Sequence, residues 1–234
     1  MRHLRMYGLP AVLLLACACE GNATGKVDTA GPPATVQPLT ETFRYGSVGD
    51  SLSHSPAVMV RDANSAPVPG AAVTYTLSQG AGSLSGAPAT TDGMGVAQVR
   101  RWVLPTKPGE VTLDVAAGNV APVRFRVFVH AQPPSVVQVL SGSDQTIAAG
   151  ASTTLRVRMV DVFGNPGPSD VSFTVLEGRA TVSPAQVKAG NDGLASVQLT
   201  ASASLAPGEV IRVAVRRPDL PASHPSQVIT LRGA

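Results

Sequence analysis

Arg61–Leu77 reads RDANSAPVPGAAVTYTL, and about a hundred residues later Val160–Leu176 reads VDVFGNPGPSDVSFTVL. Each copy is a strand, a Pro/Gly turn and a second strand. The Asp62…Pro67-Val68-Pro69-Gly70 turn and the Asp161…Pro166-Gly167-Pro168 turn are flanked by Val, Thr, Tyr and Phe, which suit a pleated, half-buried surface. Two further blocks follow in the same order. Gly95-Val96-Ala97-Gln98-Val99 matches Gly193-Leu194-Ala195-Ser196-Val197, and Pro108-Gly109-Glu110-Val111 recurs unchanged as Pro207-Gly208-Glu209-Val210. Three blocks at nearly constant offset mean a duplicated unit. The 234 residues are therefore predicted to build an all-β chain of two tandem sandwiches.

Composition agrees with that reading. Aromatic residues are 4% and charged residues 14%, while Gly and Pro contribute 23 and 20 residues, a balance that favours short strands and many turns over helices. The formal charge is +3; without Arg2 and Arg5 of the leader, 16 basic residues stand against 15 acidic ones, a net of +1. That is too little to argue for nucleic acid, because the remaining Arg residues alternate along strands and form no basic patch.

Alternation sets the expected interior. Val111, Leu113 and Val115, then Phe125, Val127 and Val129, face one way in the first unit. Leu155, Val157 and Met159, then Val171, Phe173 and Val175, then Ile211, Val213 and Val215, do so in the second. One strand breaks the rule, because Arg101 falls among the inward set of Val96–Leu104 where the second unit has Leu199. A bulge that turns Trp102 in and Arg101 out, or an edge position, would reconcile it.

The N-terminus reads as an export signal. Arg2 and Arg5 precede the apolar run AVLLLACAC at Ala11–Cys19, which is too short to span a bilayer as a helix. Leu14-Leu15-Ala16-Cys17 resembles the lipobox of bacterial lipoproteins, which implies cleavage after residue 16 and acylation of Cys17; Cys19, preceded by Ala16-Cys17-Ala18, is the alternative site. An ordinary secretory leader is the remaining reading. More than one acyl chain would anchor the protein durably, at about 0.8 kcal/mol per buried CH₂.

No cysteine follows Cys19, so each unit must be held by apolar burial alone. Residues 17–33 read as the lipidated end and a flexible Gly/Thr/Ala/Pro tether, residues 34–131 as the first sandwich and residues 132–234 as the second.

These blocks also carry a resemblance. Asp62…Pro67-Val68-Pro69-Gly70, then Thr91-Asp92-Gly93-Met94-Gly95-Val96-Ala97, then a Pro-Gly before a Val-rich strand, resemble the group-one bacterial immunoglobulin-like domain found in tandem in intimin and invasin. The match covers about Val48–Ala131 and Val136–Ala234. Ser65-Ala66 replace the usual Gly-Asn in the first copy; the second keeps Gly164-Asn165-Pro166 but has Ala189-Gly190 for Thr-Asp. The resemblance implies an immunoglobulin-like sandwich used as a spacer or as a protein- or glycan-binding module; a surface adhesin for host matrix or polysaccharide is the alternative. In intimin and invasin such spacers end in a lectin-like receptor-binding module, which this sequence does not show.

Residues for chemistry are sparse. His3, His54, His130 and His224 stand apart from any second ligand at metal spacing. Gly80–Gly86 lacks both the phosphate-loop ending and the nucleophile-elbow pattern, and reads as a turn. Asp62-Ala63-Asn64 begins like a calcium loop without its glycine and terminal glutamate, so Asp62 and Asp161 are expected to cap their own turns. The sequence thus predicts no enzyme, no cofactor, no small-molecule substrate and no nucleic-acid partner. It predicts a membrane anchor through acyl chains. Ala18 or Glu20, never Asp, would follow the acylated cysteine, and by resemblance to Gram-negative lipoprotein sorting that favours the outer membrane. A periplasm-facing or secreted protein is the alternative.

Overall fold

A computed structural model describes residues 30–221 and 226–234. The leader, Cys17, Cys19 and all but the end of the tether lie outside the described residues, as do His3 and His224. No helix occurs among the described residues, and none could cross a membrane.

The first sandwich comprises β1 (Thr35–Pro38), β2 (Phe43–Ser47), β3 (Ala57–Arg61), β4 (Val73–Leu77), β5 (Ser83–Ser85), β6 (Val96–Gln98), β7 (Arg101–Val103), β8 (Gly109–Ala117) and β9 (Val123–His130). The second comprises β10 (Val136–Ser141), β11 (Gln145–Ile147), β12 (Ser152–Val160), β13 (Ser169–Glu177), β14 (Ala180–Ser183), β15 (Gln186–Ala189), β16 (Leu194–Ala201), β17 (Val210–Arg216) and β18 (Gln227–Gly233).

One layer has the order β2-β9-β8-β4 in the first sandwich and β11-β18-β17-β13-β15 in the second. In each, the second strand crosses over to pair parallel with the last, while the hairpins around it are antiparallel. The facing layer is β10-β12-β16-β14 in the second sandwich and two pieces, β1-β3-β6 and β5-β7, in the first. Among the described residues no sheet mixes strands of the two sandwiches. The duplication read from the sequence is therefore a duplication of topology.

The broken layer settles the anomaly at Arg101. The strand does not bulge but breaks: β6 stops at Gln98 at the edge of β1-β3-β6, and β7 restarts at Arg101, pairing with β5 on one side and bridging from Val103 to Ser51 on the other. The interruption gives the backbone the freedom to bury Trp102, 0% exposed, and leave Arg101 in water. The Trp102 indole Nε1 donates to the Ala81 carbonyl at 2.8 Å, which satisfies its only polar atom. In the second sandwich β16 runs unbroken, with Leu199 fully buried.

Two interiors result. One packs Val58, Val60, Leu113, Val115, Phe125, Val127 and Val129 around Trp102; the other packs Leu155, Val157, Met159, Phe173, Ile211, Val213, Val215, Ile229 and Leu231. They share no residue. In the last strand Ile229 and Leu231 face inward, and Val228 lies outside.

The repeated blocks have identifiable structural work. Thr91 Oγ1 accepts from the Ala71 amide at 2.9 Å and donates to the Val68 carbonyl at 2.6 Å, pinning the turn that leads into β4 to the segment before β6. Gly95 and Gly193 have φ of +74° and +73°, and a Cβ there would lie 2.8 Å from the Val60 carbonyl oxygen and 2.3 Å from that of Met159. Only glycine permits that approach.

Candidate functional site: the interdomain joint

Asp62 and Asp161 cap their turns as the sequence predicts. Asp62 Oδ1 accepts from the amides of Asn64 and Ala66, both at 2.9 Å, and Asp161 Oδ1 accepts from those of Phe163 and Asn165 at the same distance. The second carboxylate oxygen reaches further. Asp62 Oδ2 accepts from the Gly31 amide at 2.9 Å, and Asp161 Oδ2 from the Gln132 amide at 3.2 Å. Gly31 and Gln132 each stand four residues before the first strand of their sandwich, so each turn ties down the segment that leads into its own unit. The first sandwich thus holds the chain from Gly31, inside the stretch read as tether.

These contacts set the protonation of both groups. The Gly31 amide, helped by those of Ala66 and Asn64 against some burial, holds the Asp62 carboxyl below its usual range. Burial pushes the Asp161 carboxyl up, but the Asn165 side chain and the amides of Asn165, Phe163 and Gln132 outweigh it and hold it low. Asp161 is 1% exposed, so a charged form without those donors would be costly.

Only the second turn does more than this, by reaching the base of the first sandwich. Asn165 Nδ2 donates to the Thr106 carbonyl at 2.8 Å and to Asp161 Oδ2 at 2.9 Å. Gln132 Nε2 donates to the Val48 carbonyl at 3.0 Å. The Phe163 ring lies against the bare face of Gly49, where a Cβ would sit 2.4 Å from Cζ; Gly49 has φ +77° and donates its amide to the Pro105 carbonyl. Behind the junction, Arg217 Nη1 donates to the Pro134 carbonyl, bracing the Pro133-Pro134 segment against the end of β17. Three side chains of the linker and second unit thus clasp two carbonyls and a glycine of the first.

The first turn cannot make that clasp. Asn64 stands where the second copy has Phe163, and Ala66 where it has Asn165. Ser65, at the place of Gly164, is forced to φ +66°. The replacement of Gly-Asn by Ser65-Ala66 is visible in the sequence, but its consequence for the joint is not. The signal for it is Phe163, an aromatic in a turn whose partner copy is polar.

The remaining candidates do not converge. His54 shares a 3.2 Å hydrogen bond with Ser53 and His130 ends β9 in solvent, while in Gly80–Gly86, read as a turn, only the start turns and Ser83–Ser85 is the strand β5 itself. Among the described residues no group of three or more His, Cys, Asp or Glu could hold a metal ion.

No family model and no curated protein matches the chain. Among solved structures it is similar to invasin, described as a bacterial integrin-binding protein, at 18% identity and a TM-score of 0.49, over 87% of this chain and 41% of that one. It is similar to the D00-D0 domain of intimin at 14% identity and a TM-score of 0.47, over 84% of this chain and 99% of that one. To the Yersinia pseudotuberculosis adhesin InvE the figures are 15% and 0.38, over 85% of this chain and 58% of that one. The chain thus spans little more than half the length of InvE. The two-sandwich architecture stands on the strand orders and interiors of this chain itself, and in fold the chain is similar to the immunoglobulin-like domains of the intimin and invasin adhesins.

Proposed function

We propose that this chain is an exported, non-enzymatic cell-envelope lipoprotein, acylated on Cys17 or, failing that, Cys19, whose tandem sandwiches act as a stiffened spacer and binding module. Residues 1–16 are the leader, 17–33 the lipidated end and tether, 34–131 and 132–234 the two sandwiches. The observation that carries the spacer reading is the clasp of Phe163, Asn165 and Gln132 on Val48, Gly49 and Thr106, which restricts rotation at a junction already short and Pro-rich. The Leu14-Leu15-Ala16-Cys17 run supports the anchor, and the residue after either cysteine supports the outer membrane.

Metabolic labelling with an alkyne fatty acid tests the anchor. Label is expected on the wild-type protein and lost in Cys17→Ala; an unlabelled wild type refutes lipidation, and label retained by Cys17→Ala moves the site to Cys19. A surface adhesin is the second reading, and it is favoured by one observation, an exposed aromatic cluster on β2 and β9.

A further inference from the structure

The two sandwiches are an internal comparison, because they share a topology and differ in a few places. Three differences fall on one side of the first sandwich. On β2, Phe43 and Tyr45 point outward, where β11 reads Gln145-Thr146-Ile147 without a ring. The loop from β2 to β3 is longer than that from β11 to β12 and carries Ser53-His54-Ser55. The third is the break between β6 and β7, which places Arg100 outside both sheet pieces.

These features adjoin. One shallow, open depression is lined by Glu41, Phe43, Arg44, Tyr45 and His54; a second is lined by Ser53, His54, Ser55, Gly86, Gln98 and Arg100 among others. His54 lines both, so the two depressions adjoin at this residue, one an aromatic end and the other a cationic end. At the aromatic end Phe43 and Tyr45 meet edge to face at 5.2 Å and 81°, Phe128 meets Tyr45 at 6.2 Å, and the Arg126 guanidinium sits 5.6 Å over Phe43. Tyr45 is 69% exposed in a chain with few aromatic residues to spare. At the other end the backbone of Arg100 is fixed, its amide donating to the Gly86 carbonyl at 3.0 Å and its carbonyl accepting from Ser55 Oγ at 3.2 Å. Arg101 beside it donates Nε–H to Ser51 Oγ at 2.8 Å. Neither takes part in an ion pair among the described residues, whereas Arg44 and Arg126 are matched by Glu41 and Glu110.

We propose that the two depressions act together as one groove that binds an acidic polysaccharide. An open channel suits an extended chain better than an enclosed small molecule. The exposed Tyr45 ring suits the C–H face of a pyranose ring, and the uncompensated guanidinium at the far end selects a carboxylate-bearing sugar over a neutral one. The inference rests on the binding-module half of the proposed function and not on the lipid anchor or the stiff joint, so its failure leaves the acyl-labelling result and the clasp at the joint untouched.

The test is calorimetric titration of the full chain with polygalacturonate, dextran and polyglutamate. Binding is expected for polygalacturonate alone, weakening as salt rises from about 0.05 to 0.5 M because the charges lie in water. Tyr45→Ala and Arg100→Ala, both at exposed positions, should each weaken it about tenfold with unchanged circular dichroism. Arg232→Ala, on the second sandwich, should not. No binding, equal binding to dextran, equal binding to polyglutamate, or wild-type affinity in both groove variants would each overturn the proposal.

Discussion

Gly49→Ala and Gly150→Ala form a matched pair that isolates the joint. The two glycines occupy corresponding turns, with φ of +77° and +75° and with amides bonded to Pro105 and Ser202 carbonyls. A left-handed alanine costs about 1 kcal/mol at either place. Their surroundings differ. At Gly49 the new Cβ would lie 2.4 Å from Phe163 Cζ and 2.9 Å from Cε2, whereas at Gly150 the nearest atom is Ala203 Cα at 4.0 Å. Relief at Gly49 requires the ring to withdraw by about 1 Å or more. Phe163 is 37% exposed, so roughly two-thirds of a ring of about 200 Å² is covered, worth at most about 3 kcal/mol at about 25 cal/mol per Å². That is an upper bound on what the aromatic contact contributes to the closed joint.

Electron–electron distance measurements between spin labels on Thr76→Cys and Thr174→Cys, with Cys17 and Cys19 replaced by Ser, read the outcome. The wild type should give a narrow distribution, Gly150→Ala the same one, and Gly49→Ala a broad one matching Phe163→Ala. Combining Gly49→Ala with Phe163→Ala should add nothing, since the second removes what the first displaces. Indistinguishable distributions for Gly49→Ala and Gly150→Ala would refute the assignment of Phe163 as the element that stiffens the pair.

Tyr75→Phe should raise thermal stability, because burial leaves the Tyr75 hydroxyl without a hydrogen-bond partner among the described residues and pushes its pKa up to about 12; a gain of about 1 kcal/mol would move the first sandwich's melting midpoint by roughly 4–8 °C in calorimetry. Ser65→Gly should stabilise the same unit by up to about 1 kcal/mol by relieving φ +66°, read as a shift in the urea midpoint at unchanged slope. Asp161 has a lowered folded pKa, so its contribution is present above the unfolded value near about 4 and is lost as pH falls through the folded value. The joint and second sandwich should therefore hold to about pH 4 and loosen below it, and Asp161→Asn should weaken them at neutral pH and flatten that acid limb, followed by circular dichroism and the same spin labels.

The strands were legible because their inward Val, Leu, Ile and Phe recur with period two, and the turns because Asp, Pro and Gly mark them chemically. Phe125, Val127 and Val129, and Ile211, Val213 and Val215, all lie in the interiors the alternation predicts. The inward Trp102 is legible, but the bulge or edge position that would reconcile Arg101 is in fact a strand that stops and restarts, since alternation reports which way a side chain faces and not which neighbour the backbone pairs with. The joint was illegible for a related reason. It is made of one turn's side chains against carbonyls and a glycine, and carbonyls carry no sequence signature.

That asymmetry has a consequence for how such chains can change. Because the receiving surface offers main-chain oxygens and a bare Cα, the exposed Thr106 can mutate widely and the fully buried Val48 can change to any residue the core accepts without altering what is presented there, and the acceptor end of one repeat is chemically interchangeable with that of another. Recombination that inserted, deleted or shuffled whole repeats would preserve a rigid seam wherever the downstream turn kept its ring and its carboxamide, and would create a swivel wherever it did not.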